Sequence, residues 1–237
     1  MTERKPTLRE RQRAGTRRVI QEHAVRLFTD RGYDTVTVAE VAEAAGVSAM
    51  TVYRHFPTKE DLVLIDQPAR LIAEKVAASP ATQPVVRRVG GALVDAATVL
   101  IGDEGDEPAV SERFLLDCLR LMVSTPALRA RHLDSQYALQ QAIVDALGLD
   151  DATTHDAAFR AQAATSACLA AMHTALTRWA EDDGQTELPD LIARALAASF
   201  GDVVATGHRN RGGHNPPSGV LPPSPELRPV DASEKKV

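Results

Sequence analysis

The sequence predicts an all-α protein with a three-helix unit at the N-terminus and a larger helical body behind it. Apolar residues recur at helical spacing, and over residues 58–206 the alternation typical of strands is almost absent. Glycine and proline fall mainly between the periodic segments. With 237 residues and 44% hydrophobic content, the chain can bury a sizeable core.

The first short helix of the N-terminal unit begins after Thr37. Thr37 and Glu40 fit a capping box, in which each side chain satisfies an unpaired backbone amide at the helix start. Four apolar residues then recur at i, i+3, i+4 and i+7 and give one apolar face: Val38, Val41, Ala42 and Ala45. Gly46 follows where a helix end favours a residue that tolerates positive φ.

A second short helix follows this glycine. Ser48 is a suitable N-cap, and the helix runs to about His55 with Val52 and Phe56 on its inner face. Two short helices joined by a glycine turn form a helix-turn-helix. Its outer face carries Ala49, Met50, Thr51, Tyr53, Arg54 and His55.

Six further helices are predicted in the body. Pro57 ends the second short helix, and Thr58 with Asp61 offers a capping box for the next one, in which Pro68 marks a kink or a break. Gly148 stops the fourth helix. The predicted ranges are about 58–78, 83–101, 108–123, 126–147, 153–182 and 188–205. Residues 207–237 are proline-rich and aperiodic, and we expect a disordered tail there.

The charge of the chain is unevenly distributed. The net formal charge is −5, whereas residues 1–20 contain seven Lys or Arg side chains and two acidic ones. A basic segment on an acidic body is typical of a nucleic-acid-binding unit attached to another domain, although a solubilising tail has the same composition. The sequence has no signal peptide and no apolar run that could span a membrane, so we expect a cytoplasmic protein without a membrane partner.

The motifs over residues 16–62 resemble the DNA-binding domain of the TetR family of bacterial transcriptional regulators. The resemblance is carried by Ala24, Leu27 and Phe28, Gly32-Tyr33, Thr35-Val36-Thr37-Val38, Ala45-Gly46-Val47-Ser48, Tyr53-Arg54-His55-Phe56 and Lys59-Glu60-Asp61-Leu62. It implies a ligand-responsive regulator of the repressor type that binds a double-stranded DNA operator as a homodimer. The implied domains are 1–62 for DNA binding and 63–206 for ligand binding and dimerisation.

Nine residues in and next to the helix-turn-helix have a predicted role at DNA. Five residues are predicted to bind phosphates, the last two secondarily: Tyr53, His55, Lys59, Thr37 and Ser48. Four are predicted at base edges or thymine methyl groups: Thr51, Arg54, Ala49 and Met50. Half-buried packing for Tyr53 and a solvated or phosphate-bound state for Arg54 remain open.

The body between about Thr125 and Ser199 is similar to the C-terminal domain of mycofactocin-system-type TetR regulators. The similarity is carried by Pro126–Arg131, the alanine run of the fifth helix, Ala175–Trp179 and Leu191–Leu196, and it implies an acyl-CoA-like ligand. Apolar and polar side chains of facing helices are candidates for the pocket, although many can be plain core: Phe114, Cys118, Met122, His132, Tyr137, Phe159, His173 and Trp179. Arg129 and Arg131 are candidates for the ligand's phosphates.

The last two helices are rich in small residues, and they are predicted to form a four-helix interface between two copies or to pack within one chain. Cys118 and Cys168 are predicted to be buried free thiols.

No glycine-rich phosphate loop, nucleophile elbow or metal-ligand spacing is present in the sequence, so we expect no catalytic residue, metal or cofactor. The alternative is a helical enzyme or adaptor that uses its helix-turn-helix as a protein-contact element.

Overall fold

Every regular element that the structure describes is helical. The computed structural model describes residues 7–65, 67–101, 111–148 and 155–201, and within these ranges it contains nine α-helices, one 3-10 turn and no strand. The predicted all-α fold class is confirmed. The predicted tail over 207–237 lies outside the described residues.

The first helix, α1 (Leu8–Arg31), begins further upstream than the TetR-like pattern, which reaches only about Thr16. The helix continues through Gly15 without interruption. A Cβ at Gly15 would meet no atom within 4 Å, so packing does not require glycine at this position. The basic residues from Arg9 to Arg18 therefore lie on a helix rather than on an irregular arm.

The predicted helix-turn-helix consists of α2 (Val38–Ala44) and α3 (Ala49–His55). The capping box is present, because the Glu40 amide donates to Thr37 Oγ1 at 3.3 Å and the Thr37 amide donates to Glu40 Oε2 at 2.8 Å. Gly46 has a φ of +66°. Ser48 Oγ accepts from the Thr51 amide at 3.1 Å. Both N-caps and the glycine turn are therefore confirmed. We call residues 8–62 the head.

The helix predicted over 58–78 is divided in the structure. Thr58 and Asp61 form the hydrogen bonds of a capping box, but they start only the single 3-10 turn Glu60–Leu62. A full helix, α4 (Gln67–Ala78), begins later with Pro68 in its first turn. Proline lacks an amide donor and is tolerated there, because the first helical amides have no intrahelical partner. The proline therefore follows the break.

The body continues with five helices, and with α4 it contains the six that the sequence predicts: α5 (Val85–Ile101), α6 (Glu112–Ser124), α7 (Pro126–Ala146), α8 (His155–Glu181) and α9 (Leu188–Phe200). α9 ends at Phe200, earlier than predicted, because Gly201 takes a φ of +67°. The body core surrounds the fully buried Trp179. None of the helices in the described part of the chain is long and apolar enough to cross a membrane.

Arg88 is a buried cation that the sequence did not indicate. Its guanidinium group donates to the carbonyl oxygens of Val76 and Leu147 at 3.2 and 3.3 Å and to Ser79 Oγ at 2.9 Å. These two carbonyls lie at the C-terminal ends of α4 and α7, where intrahelical partners are missing. Arg88 therefore caps two helices at once and joins their ends.

The apolar core of the head includes side chains from the body. From the head it contains Ile20, Ala24, Val25, Phe28, Val36, Val41, Val52, Phe56 and Leu62. Cys118 and Leu121 of α6 and Leu128 of α7 belong to the same buried cluster. Head and body thus share one layer of apolar packing at the corner between α6 and α7.

We expect Leu128→Ala to destabilise the whole chain by about 2–5 kcal/mol, because it leaves a cavity where head and body meet. Leu133→Ala is the control on the same helix, since Leu133 is 54% exposed and its loss should cost less than about 0.5 kcal/mol. Urea unfolding followed by circular dichroism measures both. Equal losses at the two positions would contradict a shared core.

Candidate nucleic-acid interface

The outer face of α3 is displayed to solvent while its inner face is fixed in the head core. Met50 is 75% exposed and Tyr53 50% exposed, whereas Val52 and Phe56 are fully buried. Arg54 is exposed, and Ala49 and Thr51 are half-buried. The predicted division of α3 into an inner and an outer face is therefore present. An exposed short helix on a rigid support has the form required to enter a DNA groove.

His55 differs from the other predicted contact residues because it is only 8% exposed. Its carbonyl oxygen accepts a 2.6 Å hydrogen bond from Arg17 Nη1. Burial, together with the positive charges of Arg13, Arg54 and Arg17, lowers the pKa of His55. The lowered pKa favours the neutral form of His55 at the C-terminal end of α3, and little of its side chain is accessible.

Lys59 has protein partners that the sequence did not indicate. Its Nζ donates to the Tyr33 carbonyl at 2.5 Å and lies 4.2 Å from the centroid of the Tyr33 ring and 5.4 Å from that of Phe28. The Tyr33 hydroxyl in turn donates to Glu60 at 2.9 Å. Lys59 therefore holds the turn after α1 in place through these contacts. Any contact between Lys59 and DNA would come in addition to them. Thr37 and Ser48 are exposed, and both are occupied as N-caps.

A groove of about 420 Å³ lies between the N-terminal half of α1 and the outer face of α3. Its described lining consists of Gln12, Arg13 and Thr16 from α1 and Thr51, Arg54 and His55 from α3. The three α1 residues were not predicted as site residues. The helical spacing of Arg9, Arg13 and Arg17 is the signal that could have indicated them.

The candidate pocket residues do not form one group. Tyr137 and Phe159 are each 64% exposed, so in this chain they lie on the surface. Cys118 packs in the head core, with Phe114 partly buried against it, whereas Met122 and Trp179 belong to the body core. Burial raises the pKa of the Cys118 thiol and thereby disfavours its thiolate. Both cysteines are free and buried, as predicted.

The structure brings two of the candidates, His132 of α7 and His173 of α8, into contact. Their rings stack with centroids 5.3 Å apart. Burial and the neighbouring His173 lower the pKa of His132 to about 4. Nδ1 of His173 is buried and has no hydrogen-bond partner in the described part of the chain. Both histidines are half-buried, and a polar pair of this kind is a suitable anchor for a polar group of a small molecule.

Arg129 and Arg131 have protein partners rather than open phosphate-binding positions. Arg129 Nη2 donates to the Val123 carbonyl at 2.9 Å, whereas Arg131 Nε and Nη2 lie 3.1 and 3.0 Å from Asp61 Oδ1. Burial opposes ionisation of Asp61, but hydrogen bonds from Thr58 and the guanidinium of Arg131 outweigh it and lower the pKa of Asp61. An ion pair therefore joins α7 to the 3-10 turn of the head.

Two sequence profiles match separate parts of the chain. Residues 20–64 match that of the bacterial regulatory proteins of the tetR family. Residues 99–200 match that of the MftR C-terminal domain. The chain belongs to the TetR family.

Two transcriptional regulators are similar to about half of this chain. The chain is 32% identical over 130 residues to the HTH-type transcriptional regulator TcmR of Streptomyces glaucescens, with 54% of this chain and 57% of TcmR covered. It is 30% identical over 133 residues to the HTH-type transcriptional repressor AcnR of Corynebacterium glutamicum, with 54% and 62% covered. The matches thus span less than two thirds of these TetR-like relatives.

Among solved structures, native NalD, the secondary repressor of the MexAB-OprM multidrug efflux pump in Pseudomonas aeruginosa, aligns with a TM-score of 0.50 at 20% identity. The alignment covers 79% of this chain and 96% of NalD. At this identity the likeness concerns the TetR fold alone.

We expect Lys59→Ala to lower the free energy of unfolding by about 1–2 kcal/mol, because it removes a charge-assisted hydrogen bond and a cation–π contact. Lys75→Ala is the control, since Lys75 Nζ lies 3.8 Å from Asp95 and such a surface pair contributes less than about 1 kcal/mol. Urea unfolding without DNA is the measurement. A smaller loss for Lys59→Ala than for Lys75→Ala would contradict the fastening role.

The ion pair between Asp61 and Arg131 predicts a stability difference that depends on pH. The folded pKa of Asp61 is lowered from 3.8, so its contribution is present above about pH 4 and is lost as pH falls further. Arg131→Met should therefore lower stability at pH 7 by about 1 kcal/mol or less, and the difference from wild type should shrink below pH 4. Arg129→Met is the control, and its difference from wild type should not shrink in this range. Unfolding curves at several pH values test both variants, and a constant difference for Arg131→Met would refute the pairing.

Proposed function

We propose that this protein is a DNA-binding transcriptional regulator that reads a two-fold symmetric operator as a homodimer and leaves it when a small ligand binds the body. The observation that carries the proposal is the exposed outer face of α3, held by Val52 and Phe56 on a rigid core. Proteins of the TetR family are DNA-binding regulators and not enzymes, so the family decides against the enzyme alternative.

The predicted DNA-contact residues of α3 differ in the chemical group of the DNA that each of them suits. Arg54 suits guanine O6 and N7, Thr51 suits either kind of base edge, and the exposed Met50 suits a thymine methyl group. Tyr53 offers a hydroxyl donor to phosphate. Phosphate contacts set the register on DNA, and base contacts give the sequence preference.

The exposed face of α8 supports the proposed dimer. Four small side chains at i, i+4, i+7 and i+11 are exposed there: Ala163, Ala167, Ala170 and Thr174. The opposite face of α8 packs in the body core and α9 packs beside it. Small side chains allow two helices to approach closely, so two copies of α8 and α9 can form a four-helix interface. A symmetric dimer presents two copies of α3 to two half-sites about 34–36 Å apart.

The small-molecule effector of this proposal is apolar and has a polar head group. The match to the MftR C-terminal domain and the half-buried pair His132 and His173 support it. Two further polar atoms of α8, Thr165 Oγ1 and Trp179 Nε1, are buried without a hydrogen-bond partner in the described residues. A ligand that supplies acceptors or donors at this helix would satisfy them. An acyl-CoA-like molecule is the first class to test.

Signal transfer from the body to the head would pass through the corner of α6 and α7. This corner contributes Leu121 and Leu128 to the head core and also carries the Arg131 partner of Asp61. A ligand that binds better to one arrangement of this corner shifts the dimer toward that arrangement by its differential affinity. The spacing of the two α3 helices then changes, and operator affinity changes with it.

The experiment that tests the regulator is selection of duplex DNA from a random library by the full chain. Fluorescence anisotropy of the selected duplex should show binding that weakens steeply with salt, and the selected sites should share two inverted half-sites. Arg54→Ala should cost about 1–3 kcal/mol and relax one position of each half-site if Arg54 reads a base. A failure to enrich any sequence, together with no salt-dependent binding, would reject the regulator.

The effector is tested by titrating a long-chain acyl-CoA into the complex of the protein with its selected duplex. We expect the duplex to be released, and His132→Leu with His173→Leu should weaken this response without changing operator affinity in the absence of ligand. An unchanged affinity at saturating acyl-CoA would remove this ligand class and leave the regulator standing.

We expect Ala167→Arg to give a monomer with strongly reduced operator affinity, because the arginine places a charge in the centre of the α8 interface. Ala77→Arg is the control, since Ala77 is exposed on α4 away from that face. Light scattering measures the mass, and anisotropy measures binding to the selected duplex. A wild-type chain that is monomeric at micromolar concentration would contradict the dimer.

A further inference from the structure

The groove between α1 and α3 is lined by hydrogen-bond donors. Each of its six described lining residues has a side chain that can donate, and none of the six carries a carboxylate. Two of them, Arg13 and Arg54, are cationic, and they approach the groove from different helices. A volume of about 420 Å³ that is lined in this way has the chemistry of an anion site rather than of an apolar ligand site.

The three α1 residues that line this groove share one face of the helix with Arg9. Arg9, Gln12, Arg13 and Thr16 stand at i, i+3, i+4 and i+7, so they share one face of the helix. Gln12 and Arg13 are exposed, and Thr16 donates to the Gln12 carbonyl within α1. No ion pair joins Arg13 or Arg54 to an acidic side chain among the residues that the structure describes. Their guanidinium groups are therefore available to an external anion.

Arg17 holds the two walls of the groove together. Its Nη1 donates to the His55 carbonyl at 2.6 Å, and its guanidinium lies 4.2 Å from the centroid of the Phe56 ring. These contacts fix α1 against the C-terminal end of α3. In addition to burial, the positive charges of Arg13, Arg54 and Arg17 lower the pKa of His55, as a local cluster of cations does. The groove is thus pre-formed and positively charged.

We infer that this groove binds a backbone phosphate of the DNA, with Arg13 as the principal ligand and Gln12 as a second donor. The inference rests on the proposed function, because it places the phosphate on the strand that borders the major groove entered by α3. The N-terminal half of α1 is then a second DNA-contacting element, outside the helix-turn-helix. Since a phosphate has the same chemistry in every sequence, Arg13 contributes affinity and orientation but no base preference.

The test compares Arg13→Ala with Arg18→Ala in the full chain. Arg18 lies on the same helix, and its Nε pairs with Glu22 at 2.8 Å, so both variants lose one positive charge from α1. Alanine is a better helix former than arginine, and both side chains are exposed, so neither change should unfold the head. The probes are the duplex selected by the wild-type protein and an unrelated duplex of equal length, each measured by anisotropy between 50 and 300 mM KCl.

We expect Arg13→Ala to weaken binding to both duplexes by about tenfold per protomer and to reduce the magnitude of the salt slope by about one unit per protomer. Arg18→Ala should change affinity by less than about threefold. Arg13→Lys should restore most of the salt slope, because a lysine retains the charge that pairs with phosphate. Selection with Arg13→Ala should return the wild-type operator sequence.

Three outcomes would overturn the inference. Equal losses for Arg13→Ala and Arg18→Ala would show a general charge effect without a site. A changed sequence preference for Arg13→Ala would place Arg13 on a base edge instead of a phosphate. Unchanged binding in Arg13→Ala, with wild type still bound to the selected duplex, would refute the α1 contact and leave the regulator intact. Failure of the wild type to bind either duplex would instead reject the proposed function and the groove with it.

Discussion

The packing of Leu121 and Leu128 into the head core is the constraint on which the rest of the structure depends. The head adds little apolar surface to that of α1, because α2 and α3 each contain only seven residues. The α6–α7 corner completes the core beneath α1 and the helix-turn-helix. The orientation of α3 is therefore set by the body as well as by its own turn.

This shared core has a consequence for regulation. In a protein whose head and body are joined only by a linker, a ligand in the body could not change the orientation of the helix that corresponds to α3. Here Leu121 and Leu128 on either side of the corner are buried in the head core, and close-packed interiors transmit a shift rather than absorb it. The ion pair between Asp61 and Arg131 lies beside the same corner and links α7 to the end of the helix-turn-helix. A small displacement of α7 must therefore either break this pair or move the head.

Local signals in the sequence predicted the helix-turn-helix well, whereas contacts between distant segments remained hidden. The caps at Thr37 and Ser48 and the turn at Gly46 depend on neighbouring residues, so residue type and spacing were sufficient to predict them. The break before α4 was misplaced because a capping box indicates a possible start and not a helix length. The partners of Lys59 and Arg131 come from residues 26 and 70 positions away, and no local pattern indicates such pairs.

The same distinction applies to the candidate DNA surface. The sequence identified a basic segment, but charge composition alone does not separate a solubilising tail from a contact element. Once residues 8–31 form one helix, the arginines at intervals of four lie on one face and approach α3. Phosphate attraction acts over roughly one Debye length, about 8–10 Å at physiological salt, so this local face matters more than the net charge of −5. An acidic body is therefore compatible with DNA binding, and it also restricts the contact to the end of the molecule where α1 and α3 meet.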